Sequence, residues 1–171
     1  METYNLSVAT KKLYEAPLAL FTTASLKDLL QVENDMTLFS IIRRLIRSGV
    51  IEKIERGKYR LVNSTTGDFE LASFLYTPSY ISFETALNFY GILSQFPYEV
   101  TSATTKKPVK KHIHEKIFSY TRVNRSLFWG YKKDKQALIA EPEKALLDQI
   151  YLSSKGLRNA PLDEYDLSRI N

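Results

Sequence analysis

Residues 35–60 read DMTLFSIIRRLIRSGVIEKIERGKYR, and this stretch decides how the first part of the chain is expected to fold. In its first half, apolar residues recur at helical spacing, which predicts an amphipathic helix with one buried face. That face consists of Leu38, Ile41, Ile42 and Leu45. Gly49 suits the left-handed position that ends a helix. The alternating runs Val50–Glu55 and Lys58–Val62 then flank Arg56-Gly57 and predict a β hairpin.

The side of this helix opposite the apolar face is basic and bears hydroxyl groups. Its outward residues are Thr37, Ser40, Arg43, Arg44 and Arg47, and the hairpin turn adds Arg56 and Lys58. A basic helix followed by a basic two-stranded ribbon is the order of a winged helix-turn-helix, whose helix enters the major groove while the hairpin contacts the DNA backbone or a minor groove. An ordinary solvated helix and hairpin is the alternative, and the order of elements favours DNA binding.

The residues before this stretch supply the rest of such a module. Residues 5–15 predict a first helix whose inner face is Leu6, Ala9, Leu13 and Tyr14. Leu18–Thr23 predicts a short strand, and Ser25 is the expected N-cap of a second helix over Leu26–Gln31. We therefore predict a winged helix-turn-helix DNA-binding domain over residues 1–62.

Composition limits what else the chain does. The 171 residues suffice for one or two small domains, and the absence of cysteine excludes disulfides and thiolate metal sites, which fits a reducing cytosol. No apolar run approaches the roughly 20 residues of a membrane span, and the N-terminus has no signal-peptide pattern. We expect a soluble, cytoplasmic protein with no membrane partner.

Positive charge is concentrated in two segments. Residues 36–60 carry seven Lys or Arg against two Glu, and residues 104–135 carry ten against two acids, in a chain of net charge +5. The surface that attracts polyanions is therefore local.

The second half predicts a small α+β domain, so the fold class is α+β. Asn63–Asp68 has the composition of a linker, residues 69–152 form the second predicted domain, and residues 153–171 form a loose tail. The expected elements are a helix over Phe83–Tyr90 capped by Ser82, strands over Glu99–Thr105, Ile117–Val123, Leu127–Tyr131 and Gln136–Ala140, and a closing helix from Glu141 that buries Leu146, Leu147, Ile150 and Tyr151.

The second basic segment has two interpretations. Lys106, Lys107, Lys110 and Lys111 form either a solvated loop or sheet edge, or a contact surface for an acidic protein, RNA or flanking DNA. Nearby aromatic residues suit stacking on bases, although aromatics at strand spacing are more typical of a core. They are Phe118, Tyr120, Phe128, Trp129 and Tyr131.

Enzyme chemistry finds little support in the sequence. There is no phosphate-binding glycine-rich loop and no nucleophile elbow of the G-x-S-x-G kind. His112 and His114 are the only histidines, so a metal site would need carboxylates in addition. We expect no catalytic residue, no metal and no cofactor.

Four segments together resemble the AbiEi-type antitoxins and the related predicted transcriptional regulators of viral defence systems. The segments are GVIEKIERGKYRL (49–61), PSYISFETALNFYGI (78–92), EVTSAT (99–104) and LIAEPEKALLDQIYL (138–152). The resemblance covers roughly residues 10–152. The first segment alone is common among winged helices, whereas the order of all four is much more specific.

The resemblance implies a repressor that binds operator DNA through its N-terminal domain and regulates its own operon. It implies that the C-terminal domain counteracts a nucleotidyltransferase-type toxin, and it gives DNA contacts to the outward residues of the helix and hairpin named above. Two alternatives stay open: a stand-alone regulator or non-DNA adaptor that contacts proteins, and an RNA-binding inhibitor that uses residues 104–135.

Overall fold

The structure is a computed structural model that describes residues 5–170 and has a mixed α+β architecture. It divides into two compact units, Met1–Thr66 and Gly67–Asn171. The division lies inside the segment Asn63–Asp68, whose composition is that of a linker. Each unit is described by itself below.

The first unit contains three helices and one three-stranded sheet. Its elements are α1 (Leu6–Glu15), β1 (Leu20–Thr22), α2 (Thr23–Leu30), α3 (Asp35–Arg47), β2 (Ile51–Glu55) and β3 (Lys58–Leu61). The central strand β3 pairs antiparallel with both β1 and β2. The predicted helix, hairpin and short first strand are thus all present.

The core of the first unit forms where the apolar stripes of the three helices meet the sheet. Leu38, Ile41, Ile42 and Leu45 of α3 are buried, as the helical spacing predicts. They pack in one cluster with buried residues of the other elements, which include Leu13, Leu26, Phe21, Ile51 and Tyr59. Burying each such side chain stabilises the fold by about 1.5–3 kcal/mol.

Two predictions in the first unit are wrong in detail. Tyr14 does not join the inner face of α1, because its position on the helix leaves it 54% exposed. The N-cap of α2 is Thr22 and not Ser25. The hydroxyl of Thr22 accepts a hydrogen bond from the Ser25 N–H (3.0 Å), and the Ser25 hydroxyl accepts one from the Thr22 N–H (2.8 Å), which is a reciprocal capping box.

The second unit is built on a six-stranded mixed sheet. Its elements are α4 (Asp68–Leu75), β4 (Ser79–Ile81), α5 (Phe83–Phe89), β5 (Glu99–Thr104), β6 (Val109–Ile113), β7 (Lys116–Arg122), β8 (Tyr131–Asp134), β9 (Ala137–Ala140) and α6 (Pro142–Ser154). The strand order is β6-β7-β5-β4-β9-β8, with β5 parallel to β7, β4 parallel to β9, and the other pairs antiparallel.

The predicted strand Leu127–Tyr131 is absent. Residues Arg125–Leu127 form a 3₁₀ turn instead, because the Asn124 side chain caps it by accepting a hydrogen bond from the Ser126 N–H at 3.3 Å. Gly130 then adopts a φ of +73°, and β8 begins only at Tyr131. Local polar capping and a glycine turn have outweighed the strand propensity of the aromatic residues.

The predicted buried stripe of α6 is also wrong. Leu147 is 52% and Ile150 39% exposed, and Leu146 and Tyr151 are only half-buried. The side of α6 that is buried carries Lys144, Ala145, Asp148, Gln149 and Leu152. The polar groups on this side are hydrogen-bonded: Asp148 to Tyr80, Ser82 and Lys144, and Gln149 to Glu84 and to the Asn159 carbonyl.

Residues 153–171 are not a separate loose tail over the part that the structure describes. Arg158 forms an ion pair with Glu84 at the start of α5. Tyr165 is buried and forms a β-bridge with Leu93. These contacts fasten the chain after α6 to the second unit.

Candidate nucleic-acid interface

Helix α3 positions the predicted DNA-contacting residues. It begins at Asn34, whose side-chain oxygen accepts hydrogen bonds from the N–H groups of Met36 (2.8 Å) and Thr37 (3.2 Å). This cap satisfies two of the N–H groups that a helix leaves unpaired at its start. With the apolar stripe buried, the rotation of α3 about its axis is fixed.

The outward surface of α3 contains the predicted contacts. Thr37, Ser40, Arg43, Arg44 and Arg47 are all exposed. They lie on the side of the helix away from Leu38, Ile41, Ile42 and Leu45, so the structure brings them together on one face. Three guanidinium groups and two short hydroxyl side chains are thereby presented to solvent.

The β2–β3 hairpin places a further cation next to this face. Arg56 is exposed in the hairpin turn, and Gly57 has a φ of +74°, a conformation that favours glycine. The Gly57 carbonyl accepts a hydrogen bond from the Thr23 N–H at 2.9 Å, which ties the turn to the start of α2. The hairpin therefore has a fixed position relative to the helices of its unit.

Lys58 is less available than the sequence suggests. Its side chain is only 22% exposed, and its ammonium group lies 3.3 Å from the Glu55 carboxylate. We therefore expect Lys58 to contribute less to ligand binding than the exposed Arg56 does.

A groove of about 360 Å³ separates α3 from the hairpin. Arg43 and Arg56 both line it, so the structure brings these two predicted residues to one place. Lys53 lines it as well and is exposed, and this residue was missed because strand alternation assigns it to the same side as the buried Ile51. Lys53 is in register with Tyr59, which lines the same groove, and the pairing of β2 with β3 becomes irregular only after Lys53.

The acidic residues of the stretch 35–60 are already paired. Asp35 forms an ion pair with Lys27 at 2.5 Å, Glu52 with Arg60, and Glu55 with Lys58. These are the only three acids in the stretch. Within residues 5–170, none of Arg43, Arg47, Lys53 and Arg56 forms an ion pair with a carboxylate.

The outward surface of α3 also carries apolar side chains that the sequence analysis did not single out. Met36 is 82%, Phe39 45% and Ile46 37% exposed, and the last two line the groove beside the hairpin. Their positions follow from the helical wheel, which places them on the flank of the basic face.

The second basic segment lies on the edge strand β6 and the loop before it. The Lys106 and Lys111 ammonium groups each lie 5.6 Å from the centre of the Tyr76 ring. Lys110 pairs with Glu99, while Lys107 is exposed and its carbonyl accepts a hydrogen bond from the Tyr76 hydroxyl. Two of these four cations are thus held over an aromatic ring and a third is neutralised.

The aromatic residues proposed for stacking are mostly not accessible. Phe118 and Tyr120 are buried in the core, and Phe128 and Tyr131 pack on Tyr80 with ring centres about 5 Å apart. Trp129 alone among the five is exposed, at 53%. The core interpretation of this aromatic pattern therefore holds for most of its members.

A buried polar cluster joins α6 to the sheet of the second unit. The Asp148 carboxylate accepts hydrogen bonds from the hydroxyls of Tyr80 and Ser82, both at 2.8 Å, and from the Lys144 ammonium at 2.5 Å. Burial, followed by the charge of Asp148, raises the pKa of Tyr80 well above its ordinary range. This cluster was not predicted from the sequence, because Tyr80 and Ser82 lie more than sixty residues before Asp148.

Two further findings concern metal ions and membranes. Within residues 5–170, no group of three His, Asp or Glu side chains is arranged to hold a metal ion. In the same part of the chain, no helix combines the length and apolar character needed to cross a membrane.

Comparison of the chain with known proteins found no match: no family model matches it, and no curated protein matches its sequence. The proposals about function below therefore rest on the residues of this chain.

Proposed function

We propose that the first unit is a winged helix-turn-helix that binds double-stranded operator DNA, and that the protein represses transcription of its own operon. The observation that carries this proposal is the basic face of α3. Arg43 and Arg47 stand opposite a fully buried stripe, and the hairpin cations Lys53 and Arg56 lie beside them without neighbouring unpaired acids. The order of helices and strands in the first unit supports the same assignment.

In this proposal, α3 lies in the major groove. Arginine offers a planar pair of donors that matches the acceptor atoms of guanine or the oxygens of a phosphate. Ser40 and Thr37 are short, so they let the helix backbone approach the bases closely. Arg56 and Lys53 on the hairpin reach the sugar–phosphate backbone at the edge of the major groove. These contacts fix the position of α3 along the DNA.

We further propose an antitoxin role for the second unit, on the basis of the resemblance to AbiEi-type antitoxins. In that role, the second unit counteracts a nucleotidyltransferase-type toxin. The four segments quoted above support this role, and three of them form β4–α5, β5 and β9–α6 of the second unit.

The experiment that tests DNA binding replaces the two central arginines. Arg43→Ala combined with Arg47→Ala is expected to weaken binding to the operator duplex by about 2–6 kcal/mol, since each well-placed arginine contributes roughly 1–3 kcal/mol. Both side chains are exposed, so the unfolding temperature is expected to stay close to that of the wild type. Fluorescence anisotropy with a labelled promoter fragment measures the change.

A matched control removes the same charge from another helix of the first unit. Lys11 and Lys12 lie on α1, where Lys11 pairs with Glu15 and Lys12 with Gln31. Lys11→Ala combined with Lys12→Ala is expected to change the affinity only by the small general effect of lost positive charge. Equal losses in the two double variants would contradict a specific role for the outward face of α3.

A second candidate function, a protein-binding adaptor, is favoured by one observation. Met36, Phe39 and Ile46 expose apolar surface on the outward side of α3, which is what a protein partner would cover. The two functions differ in their response to salt. Contacts with several phosphates make affinity fall steeply as salt rises, whereas an apolar protein contact responds weakly.

A further inference from the structure

A groove of the second unit lies at one end of its sheet. It has a volume of about 900 Å³ and sits where the parallel strands β5 and β7 end, at Thr105 and at Arg122–Arg125. The C-terminal part of α6 and the residues after it, Tyr151, Lys155 and Leu157, form its other wall. Crevices outside the carboxyl ends of parallel strands are a common place for ligands in sheets covered by helices.

The lining of this groove has one sign of charge. Arg122, Arg125 and Lys155 line it, and no aspartate or glutamate does. All three side chains are exposed. Within residues 5–170, neither arginine forms an ion pair, and the Lys155 ammonium contacts the Tyr151 hydroxyl and ring rather than a carboxylate.

Other cations of the second unit contrast with these three. Lys110, Lys116, Lys144, Arg158 and Arg169 each form an ion pair with a carboxylate. Arg122, Arg125 and Lys155, which have no such partner among the described residues, lie together at the groove. Three like charges that repel one another at one site are stabilised when an anion binds there.

The shape and the remaining lining indicate an extended anion. A second groove of about 520 Å³ adjoins the first along β6 and β7 and shares Pro108 and Leu157 with it. Its charged lining residues are Glu99, Lys110 and Arg158, and both cations are paired with carboxylates, so the unpaired positive charge is confined to the first groove. Tyr151 is half-buried and lines the first groove, and Phe128 lines it with the part of its ring that is not packed on Tyr80. A basic groove with aromatic rings in its wall is typical of sites that bind single-stranded nucleic acid.

We infer that this groove binds single-stranded nucleic acid, with Arg122, Arg125 and Lys155 on the phosphates and an aromatic ring beside a base. This site is distinct from the face of α3 and does not depend on the function proposed for the first unit. It also differs from the lysines of the edge strand, which are paired or held over Tyr76.

The test measures binding of the full-length chain to labelled oligo(U) and oligo(dT) of roughly 12 nucleotides, a length within the range that such grooves cover. Arg122→Gln combined with Arg125→Gln is expected to weaken binding by about tenfold or more. The slope of log affinity against log salt is expected to fall by about 1.4, because each phosphate contact with a single strand contributes roughly 0.7. Tighter binding of oligo(U) than of oligo(dT) supports the groove as an RNA site, and equal binding supports a site for either strand.

Matched variants separate a local role from a general effect of charge or folding. Lys133→Gln combined with Lys135→Gln removes two exposed cations from the β8–β9 hairpin and is expected to change affinity by less than about twofold. Arg122→Lys combined with Arg125→Lys keeps the charge and is expected to restore most of the binding. Equal losses in the groove and hairpin variants, or no binding of either oligonucleotide by the wild type, would overturn the inference.

The proposal for duplex DNA and the proposal for single strands can be tested independently of each other. The groove variant is expected to leave promoter-duplex binding unchanged, and the variant of Arg43 and Arg47 is expected to leave oligonucleotide binding unchanged. A groove variant that loses the duplex and keeps the oligonucleotides would overturn the inference by making the groove a flanking contact for duplex DNA.

Discussion

Asp148 is 1% exposed in the second unit and receives hydrogen bonds from Tyr80, Ser82 and Lys144. The Lys144 side chain is equally enclosed, with its ammonium 5.0 Å from the centre of the Trp129 ring. Gly130 passes so close that an added Cβ would lie 3.0 Å from Lys144 Cγ. A buried pair of this kind depends on both partners, because an isolated buried charge is very costly.

Asp148→Ala is therefore expected to lower the free energy of unfolding by about 3–5 kcal/mol, since it leaves the Lys144 ammonium buried without its counter-charge. Adding Lys144→Met is expected to recover part of this loss, because it removes the orphaned charge. Denaturant unfolding of the full chain measures both variants. Glu99→Ala, which removes the partner of the exposed Lys110, serves as the control and is expected to cost about 1 kcal/mol or less. A loss for Asp148→Ala no larger than that of the control would contradict this role.

The pKa of Tyr80 is raised above its ordinary value of 10.0, first by burial and then by the Asp148 carboxylate. Below pH 10, Tyr80 is protonated in both the folded and the unfolded chain, so its contribution to stability is constant. Above pH 10, the unfolded chain loses this proton while the folded chain keeps it, so stability falls by about 1.4 kcal/mol per pH unit from this group. In the Tyr80→Phe variant, this part of the fall in unfolding free energy above pH 10 is expected to be absent. Unfolding free energies measured from about pH 8 to pH 11 test this, and equal slopes in the two proteins would refute it.

Among the elements, α3 is the one whose stability bears most on the proposed function. Its cap residue Asn34 holds the N–H groups of Met36 and Thr37. Asn34→Ala is expected to cost about 1 kcal/mol of unfolding free energy, and Asn34→Asp is expected to cost little, because aspartate caps equally well. Thermal unfolding of the two variants measures the difference. A destabilised Asn34→Asp variant would show that the side chain has a role other than capping.

The contrast between α3 and α6 shows why one helix face was predictable from the sequence and the other was not. The buried face of α3 is purely apolar, so its period appears directly in the sequence. The buried face of α6 carries Lys144, Asp148 and Gln149, while Leu147 and Ile150 point outward. A polar face does not appear in a hydrophobic pattern. It can be buried only because residues distant in the sequence form hydrogen bonds with it, and the local pattern does not show those residues.

The same reasoning applies to the candidate sites. The basic face of α3 lies within thirteen consecutive residues, so the sequence predicts its members correctly as exposed neighbours. Lys53 was missed because strand alternation places it on the same side as the buried Ile51, although it lies nearer the exposed end of the hairpin. The groove with Arg122, Arg125 and Lys155 was missed because its walls come from separate strands, a loop and a helix, which only the folded sheet brings together.

Taken as a whole, the molecule consists of two units that each carry a basic surface. The first unit exposes Arg43, Arg47, Lys53 and Arg56 beside a hairpin, and the second exposes the groove cations at the end of its sheet. The net charge of +5 is therefore less informative than its distribution. Binding of duplex DNA by the first unit is the proposal on which the repressor role rests.

Fluorescence anisotropy of the full chain on a fragment of its own promoter, with a scrambled duplex as the control, tests that proposal. We expect tight binding that prefers the promoter sequence. Affinity is expected to fall by on the order of a thousandfold between about 50 and 200 mM salt if six or more phosphates are contacted. Weak binding that ignores sequence, or an affinity that salt hardly changes, would contradict DNA recognition and favour a protein partner for the outward face of α3.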